Sequence, residues 1–229
     1  MIYNLPMSEF DKRVQFLEGD LTLVEADAIV CPSLPDLDVL KTGVAGAIFR
    51  RGGERIFMAA RKIAREARKL NPDSEYPVPL CSAHLTTGGI LPNARYVIHS
   101  VSVSVDEKLG LTCDPETIFR SAWNVLDLAN GHALRSVAFP ALGAGLYGVP
   151  VHESLGAIAS AATKYLNENP NSILNAVKLV ARDPLLKTPS LMKEIVMDQI
   201  TRGMRPSKEG RNIHLPLSVI EVSDNKRSV

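Results

Sequence analysis

The stretch that decides the fold is SVAFPALGAGLYGVPVHES, residues 136–154. Val137, Ala138 and Phe139 form an apolar run of strand character, and Pro140 closes it. Gly143, Gly145 and Gly148 then fall within six residues, before Pro150 opens a segment of helical period. Glycine at this density between a strand and a helix keeps side chains away from a backbone that something else must approach. Bare peptide N–H groups at a helix N-terminus make an anion site, because main-chain donors and the positive end of the helix dipole both favour phosphate oxygens. A tight strand-to-helix turn that needs only positive φ leaves the same trace.

Taken literally, GAGLYG is the GxGxxG dinucleotide fingerprint. Its surroundings disagree. The third glycine of that fingerprint sits inside the helix, whereas Pro150 starts the helix two residues after Gly148. The acidic residue expected about 20 positions on has no counterpart, since Asp183 lies about twice as far away.

Outward from this loop, short apolar runs alternate with longer helical periods, which predicts an α/β fold: a three-layer α/β/α sandwich around a central mixed sheet. The strand runs are 14–17, 27–31, 80–86, 95–103, 136–141 and 175–181. Residues 54–70 place Ile56, Ala60, Ile63, Ala67 and Leu70 on one stripe, and Asn71-Pro72 stops the helix. A second helix over 115–130 has Asp114 as N-cap and Pro115 at its first position, with Ile118, Ala122, Val125 and Ala129 facing inward. A third runs from Pro150 through Leu155, Ile158, Ala162 and Leu166, and a short one from Ser190 to about Ile200. The expected organisation is an N-terminal extension over 1–11, one domain over 12–202, and an appendage over 203–229 that is disordered or adds an edge strand.

The chain has 229 residues, 45% of them hydrophobic and 22% charged, which places it in the globular class. With 26 basic against 25 acidic residues, no global field draws it to nucleic acid or anionic membrane. Cys31, Cys81 and Cys113 form no CxxC pair and read as free thiols of a reducing compartment. No apolar run approaches the roughly 18 residues of a membrane span, and the N-terminus lacks a leader's apolar core. A cytoplasmic location is therefore expected. His84, His99, His132 and His152 have no metal-ligand spacing, and Ser33, Ser100 and Ser136 no nucleophile context, so neither metal nor cofactor is expected.

A second glycine cluster, GVAGAIFRRGG at 43–53, follows the 27–31 strand and reads as another backbone-exposed turn leading toward a helix. Two such loops could clamp a diphosphate from opposite sides. The stretches EGDLTLVEADAIV (18–30), GVAGAIFRRGG (43–53), TTGGILPNARYVIHSV (86–101) and SVAFPALGAGLYGVP (136–150) together resemble the macro domain family, the ADP-ribose-binding modules, over about residues 12–200. The resemblance implies a ligand crevice at the strand ends. It implies that Asp20, followed by Leu21, accepts from the adenine amine, and that Gly43, Val44 and Ala45 form the first phosphate-side loop. It implies that Gly143, Ala144, Gly145, Leu146 and Tyr147 form the second, with the Tyr147 ring beside the distal ribose.

Two departures stand out. The family's Asn-rich turn after the second strand, which in hydrolytic members positions the distal ribose and a water, here reads CPSLPDLDVLKT, with Cys31 and Leu34 in place of the asparagines. Leu34 has no hydrogen-bonding group, and Asp36 and Asp38 are the weak catalytic candidates left, as a general base near a relocated water. Where relatives place an aromatic against adenine, Arg182 offers a guanidinium plane.

Residues 50–69 carry eight Lys or Arg against Glu54 and Glu66, a local excess of +6. It reads as a solvated helix face or as a steering patch for RNA or poly(ADP-ribose). The expected function is binding of ADP-ribose or an ADP-ribosylated protein without efficient hydrolysis. An ADP-ribosyl hydrolase or ADP-ribose 1″-phosphate phosphatase, and an RNA or polyanion adaptor, are the alternatives.

Overall fold

In the computed structural model, which describes residues 11–38, 42–106, 110–182 and 189–202, all six apolar runs are strands. They are β1 (Val14–Glu18), β2 (Ala26–Ser33), β3 (Ala83–Thr87), β4 (Ala94–Val101), β7 (Ser136–Pro140) and β8 (Ala176–Ala181). Among the described residues they build one sheet in the order β1-β8-β7-β2-β4-β3, parallel except for the antiparallel β3–β4 edge. The expectations for residues 1–10 and 203–229 lie outside the described residues.

The sheet is covered on both faces, so its central strands are apolar on both sides. Ala28 and Val30 of β2 face one core with Val137, Phe139, Val177 and Leu179; that layer is α3 (Pro115–Gly131), α4 (Val151–Glu168) and α5 (Pro189–Arg202). Ile29 and Cys31 face the other core with Val97, Ala138 and Val180, under α1 (Gly43–Gly52) and α2 (Arg55–Leu70). Each fully buried Ile or Phe in these cores contributes about 1.5–3 kcal/mol.

The helix signals hold for α3, where the Asp114 carboxylate accepts from the Thr117 N–H at 2.9 Å and Ile118, Ala122, Val125 and Ala129 are buried. In α4, Leu155, Ile158, Ala162 and Leu166 are buried. On α2 the stripe is Ile56, Phe57 and Ala60, with Ile63 and Ala67 half-buried. Leu70 departs from the expectation at 82% exposed, because the helix ends there, one turn past its last packed residue.

Three local expectations change. Residues 43–52 form a helix rather than a turn, since Ala45, Ile48 and Gly52 share a buried face. Strand β2 continues past Cys31 through Pro32 and Ser33; β7 pairs only with Ala28 and Ile29, so Pro32 has one open side, where a residue without an N–H is tolerated. A hairpin of β5 (Ser104–Asp106) and β6 (Gly110–Thr112) fills a segment too polar and short to show a period.

Topology fixes where a ligand can sit. From β7 the chain passes through α4 to β8 on one side, and from β2 through α1 and α2 to β3 and β4 on the other. Neighbouring strands whose connections leave in opposite directions open a crevice at their carboxyl ends, the switch point of an open α/β sheet.

Candidate functional site

The segments leaving the carboxyl ends of β1, β8, β7 and β2 enclose a crevice of about 540 Å³ at that switch point. Its lining brings together Asp20, Leu21, Gly43, Val44, Ala144 and Arg182, all named from sequence. Thr22, Ala47, Arg50, Ala141, Val151 and Val180 also line it and were not foreseen. The signal for Ala47 and Arg50 was the Ala45–Ile48–Gly52 spacing, and for Val151 its place directly after Pro150. Ala45 itself turns into the α1–sheet core, 5% exposed, so its side chain is outside the crevice.

Asp20 serves two purposes with two oxygens. Its Oδ1 accepts from the Thr22 N–H at 2.9 Å and the Thr22 hydroxyl at 2.7 Å, capping a short 3-10 turn over Leu21–Leu23. Its Oδ2 lies 3.7 Å from Nη2 of Arg51. The Thr22 bonds, aided by the Arg51 and Arg182 charges and opposed by partial burial, hold this carboxyl below the usual range. It is thus an ionised acceptor at neutral pH. Local capping by Oδ1 is compatible with Oδ2 accepting from an exocyclic amine.

The glycine loops deliver helix ends. Helix α1 opens at Gly43 with φ of 60°, and its N-cap Thr42 makes no side-chain cap bond. The first-turn amides of Gly43, Val44 and Ala45 have no partner inside the helix, as in any α-helix. Across the crevice α4 opens at Val151 after Pro150, again without a side-chain cap. Two positive dipole ends therefore meet the same space.

Between them runs the loop after β7. Gly143 has φ of 72°, and a Cβ there would meet Cys113 Sγ at 2.6 Å, so the loop is seated on that thiol. The Ala144 N–H turns onto Ala141 O at 3.3 Å and the Gly148 N–H onto Gly145 O at 3.4 Å. No backbone bond within the loop takes up the donors of Gly145, Leu146 or Tyr147. Gly145 and Leu146 are exposed.

Tyr147 points elsewhere. Its ring packs, with Val105 and Cys113, on a buried cluster of Leu34, Val103 and Leu111. Its hydroxyl is buried without a hydrogen-bond partner, and burial, with the nearby Cys113 and Asp36 charges, pushes the phenol up to about 12. Leu34 is 2% exposed, folded beneath the loop and not across the crevice.

Asp36 and Asp38, the catalytic candidates, line a separate groove with Glu54, Arg61, Arg65 and Arg68 of the α2 side. Asp38 accepts from Arg61 Nη2 at 2.9 Å, and half-burial raises the Asp36 carboxyl. Neither is among the crevice-lining residues. The thiol of Cys31, fully buried, is pushed up to about 12, so it offers no thiolate. Part of the +6 excess on 50–69 is neutralised by carboxylates outside the segment, through Arg51–Asp20 and Arg61–Asp38.

Among the described residues no group of His, Cys, Asp and Glu is placed to hold a metal ion, and no helix is long and apolar enough to cross a membrane. A larger hollow of about 740 Å³ lies at the opposite, amino-terminal end of the sheet. Its Asp27 is already bonded to Arg95 Nη2 at 2.7 Å, the Arg135 N–H at 2.7 Å and the Ser136 N–H at 3.1 Å. The smaller crevice, with its converging backbone donors, is the better site.

The chain is similar to known proteins in sequence and in fold. The Macro domain family model matches residues 37–158. A macro domain-containing protein of Vibrio parahaemolyticus is 34% identical over 142 residues, covering 62% of this chain and 76% of its own. The O-acetyl-ADP-ribose deacetylase of Cronobacter sakazakii is 29% identical over 158 residues, 69% of this chain and 81% of its own. Among solved structures, a mutant of the Oceanobacillus iheyensis macrodomain with ADPR is similar at TM-score 0.66 and 25% identity, covering 82% of this chain and 93% of that one.

Proposed function

The chain belongs to the macro domain family, and from that premise we propose that it binds the ADP-ribosyl group, free or carried on a protein, without efficiently hydrolysing it. The observation that carries this is the convergence of two uncapped helix N-termini, at Gly43 and Val151, on a crevice whose far side holds the ionised Asp20. Backbone donors take the diphosphate, with Gly145, Leu146 and Tyr147 contributing through their main chain. Asp20 Oδ2 takes the adenine amine as a charge-assisted acceptor. Arg182 lies against the base as a planar cation. The complex of a related macrodomain with ADPR supports the ligand class.

The lack of efficient chemistry is inferred from two placements. Leu34 gives no polar group to orient a water, and Asp36 and Asp38 face the α2 groove. A general base must come within hydrogen-bond reach of the water it activates. Calorimetric titration of the full chain with ADP-ribose tests the binding: saturable one-to-one heat is expected, abolished by Ala144→Glu, which sets a carboxylate against the phosphates. No heat with ADP-ribose would sink the proposal. Turnover of mono-ADP-ribosylated protein that vanishes in Asp36→Ala or Asp38→Ala would instead make the chain a hydrolase.

A further inference from the structure

We infer that the crevice favours adenosine diphosphates that carry one further phosphate on the adenosine ribose, a 2′- or 3′-phosphomonoester, over those whose ribose is bare. This rests on the ADP-ribosyl-binding proposal above and narrows it to a ligand class, recognised by guanidinium groups at the end of the crevice where Asp20 lies.

Helix α1 turns one face to the crevice. Gly43, Val44, Ala47 and Arg50 all line it, and the steps of three from 44 to 47 to 50 keep one stripe of the helix on one wall. From Gly43 to Arg50 the helix rises about 10 Å at roughly 1.5 Å per residue. The wall therefore has two unlike ends. At Gly43 it offers first-turn amides and a positive dipole end. At Arg50, in the last turn, it offers a guanidinium side chain.

Two more guanidinium groups gather at that second end. Arg51, the next residue, brings Nη2 to 3.7 Å from Asp20 Oδ2, and Arg182, directly after β8, lines the crevice with Asp20 and Arg50. The Thr22 bonds lead in lowering the Asp20 carboxyl, and the Arg51 and Arg182 charges add to them, so both cations lie within electrostatic reach of that side chain. Among the described lining residues Asp20 is the one carboxylate. Cations in the last turn of a helix favour its negative dipole end by themselves, which accounts for Arg50 and Arg51. It gives no reason for Arg182, from a different element, to meet them.

Adenine needs an acceptor for its amine, which Asp20 Oδ2 supplies, and a bare ribose has no negative charge for a guanidinium to meet. A phosphomonoester has, and the paired N–H donors of arginine match two phosphate oxygens at once. Dinucleotide sites show the same logic, an acidic residue serving a free 2′-hydroxyl and an arginine a 2′-phosphate. The diphosphate, held at the opposite end of α1 about two turns away, leaves these cations to another anionic group.

The experiment is calorimetric titration of the full chain with two matched pairs, ADP-ribose against its 2′-phosphate and ADP against its 3′-phosphate, at about 50 mM and about 300 mM salt. At the lower salt one phosphorylated form is expected to bind about tenfold more tightly than its parent, the size of one charge-assisted contact, and the pair that shows it identifies the hydroxyl. Higher salt should shrink the preference, and Arg50→Gln should cut it to within about threefold. Arg182→Gln, at an exposed position after the strand, should reduce it likewise and serves if the helix variant folds poorly. Equal or weaker binding of both phosphorylated forms, with ADP-ribose still bound, would overturn the inference and leave the proposed function standing. A preference that neither salt nor either variant reduces would overturn it too, because the arginines would not be its cause. Silence towards all four nucleotides would overturn the proposed function and this inference with it.

Discussion

At the residue scale the sequence was most informative where a motif surrounds the side chain. Asp20 in GDLT is singled out by its motif, and the structure sets it on the crevice with one oxygen committed to Thr22 and the other beside Arg51. Tyr147 and Leu34 were harder. That Leu34 cannot hydrogen-bond is plain from its identity, but its burial with Val103 and Leu111 depends on a hairpin that two three-residue strands build, below the length at which a period shows. His99, which has no metal-ligand spacing in the sequence, is a buried core histidine: its ring meets Ser33 Oγ at 3.2 Å and Thr86 Oγ1 at 3.1 Å, with Phe57 edge-on and His84 nearby. Burial lowers it from 6.5 to about 3. Between those values the unfolded chain holds a proton that the folded one refuses, so stability falls as pH falls, by up to about 1.4 kcal/mol per pH unit. Above that window His99 contributes no pH dependence. Urea unfolding midpoints measured from pH 7 to 4 should decline, and His99→Gln should flatten the decline; an unchanged slope would show that other groups set it.

At the scale of elements, helices with conventional start and stop signals were legible and the one built from glycine was not. GVAG looks like a turn because each glycine costs a helix interior about 1 kcal/mol relative to alanine. Packing of Ala45, Ile48 and Gly52 against the sheet outweighs that cost, and it is tertiary information. The consequence is functional, since a helix gives aligned donors and a dipole where a turn gives donors alone. One substitution isolates the contribution of α1. Val44→Pro removes a single first-turn N–H at a position where a helix tolerates proline, so the fold should survive with its circular dichroism intact. Affinity for ADP-ribose should drop about tenfold, the size of one charge-assisted hydrogen bond of ~1.5 kcal/mol. Unaltered affinity would show that the amide of Val44 faces no phosphate.

At the scale of the molecule, the six strands of the central sheet were legible and their order was not. Apolar runs identify strands one at a time, whereas the order β1-β8-β7-β2-β4-β3 brings together segments more than a hundred residues apart, such as Val14 with Val177. That order places β2 beside β7 and so puts α1 and the Gly143–Gly148 loop on either side of one crevice. The sequence could propose two phosphate-side loops but not that both flank a switch point. It also could not show that the acidic pair Asp36 and Asp38 would be turned to the α2 groove. If main-chain donors from two helix ends hold a diphosphate, the second phosphate must carry much of the affinity. Dissociation constants for AMP and ADP, measured side by side on the intact chain at one salt concentration, decide this directly. AMP is expected to bind at least tenfold more weakly than ADP; equal affinity for the two would contradict the account.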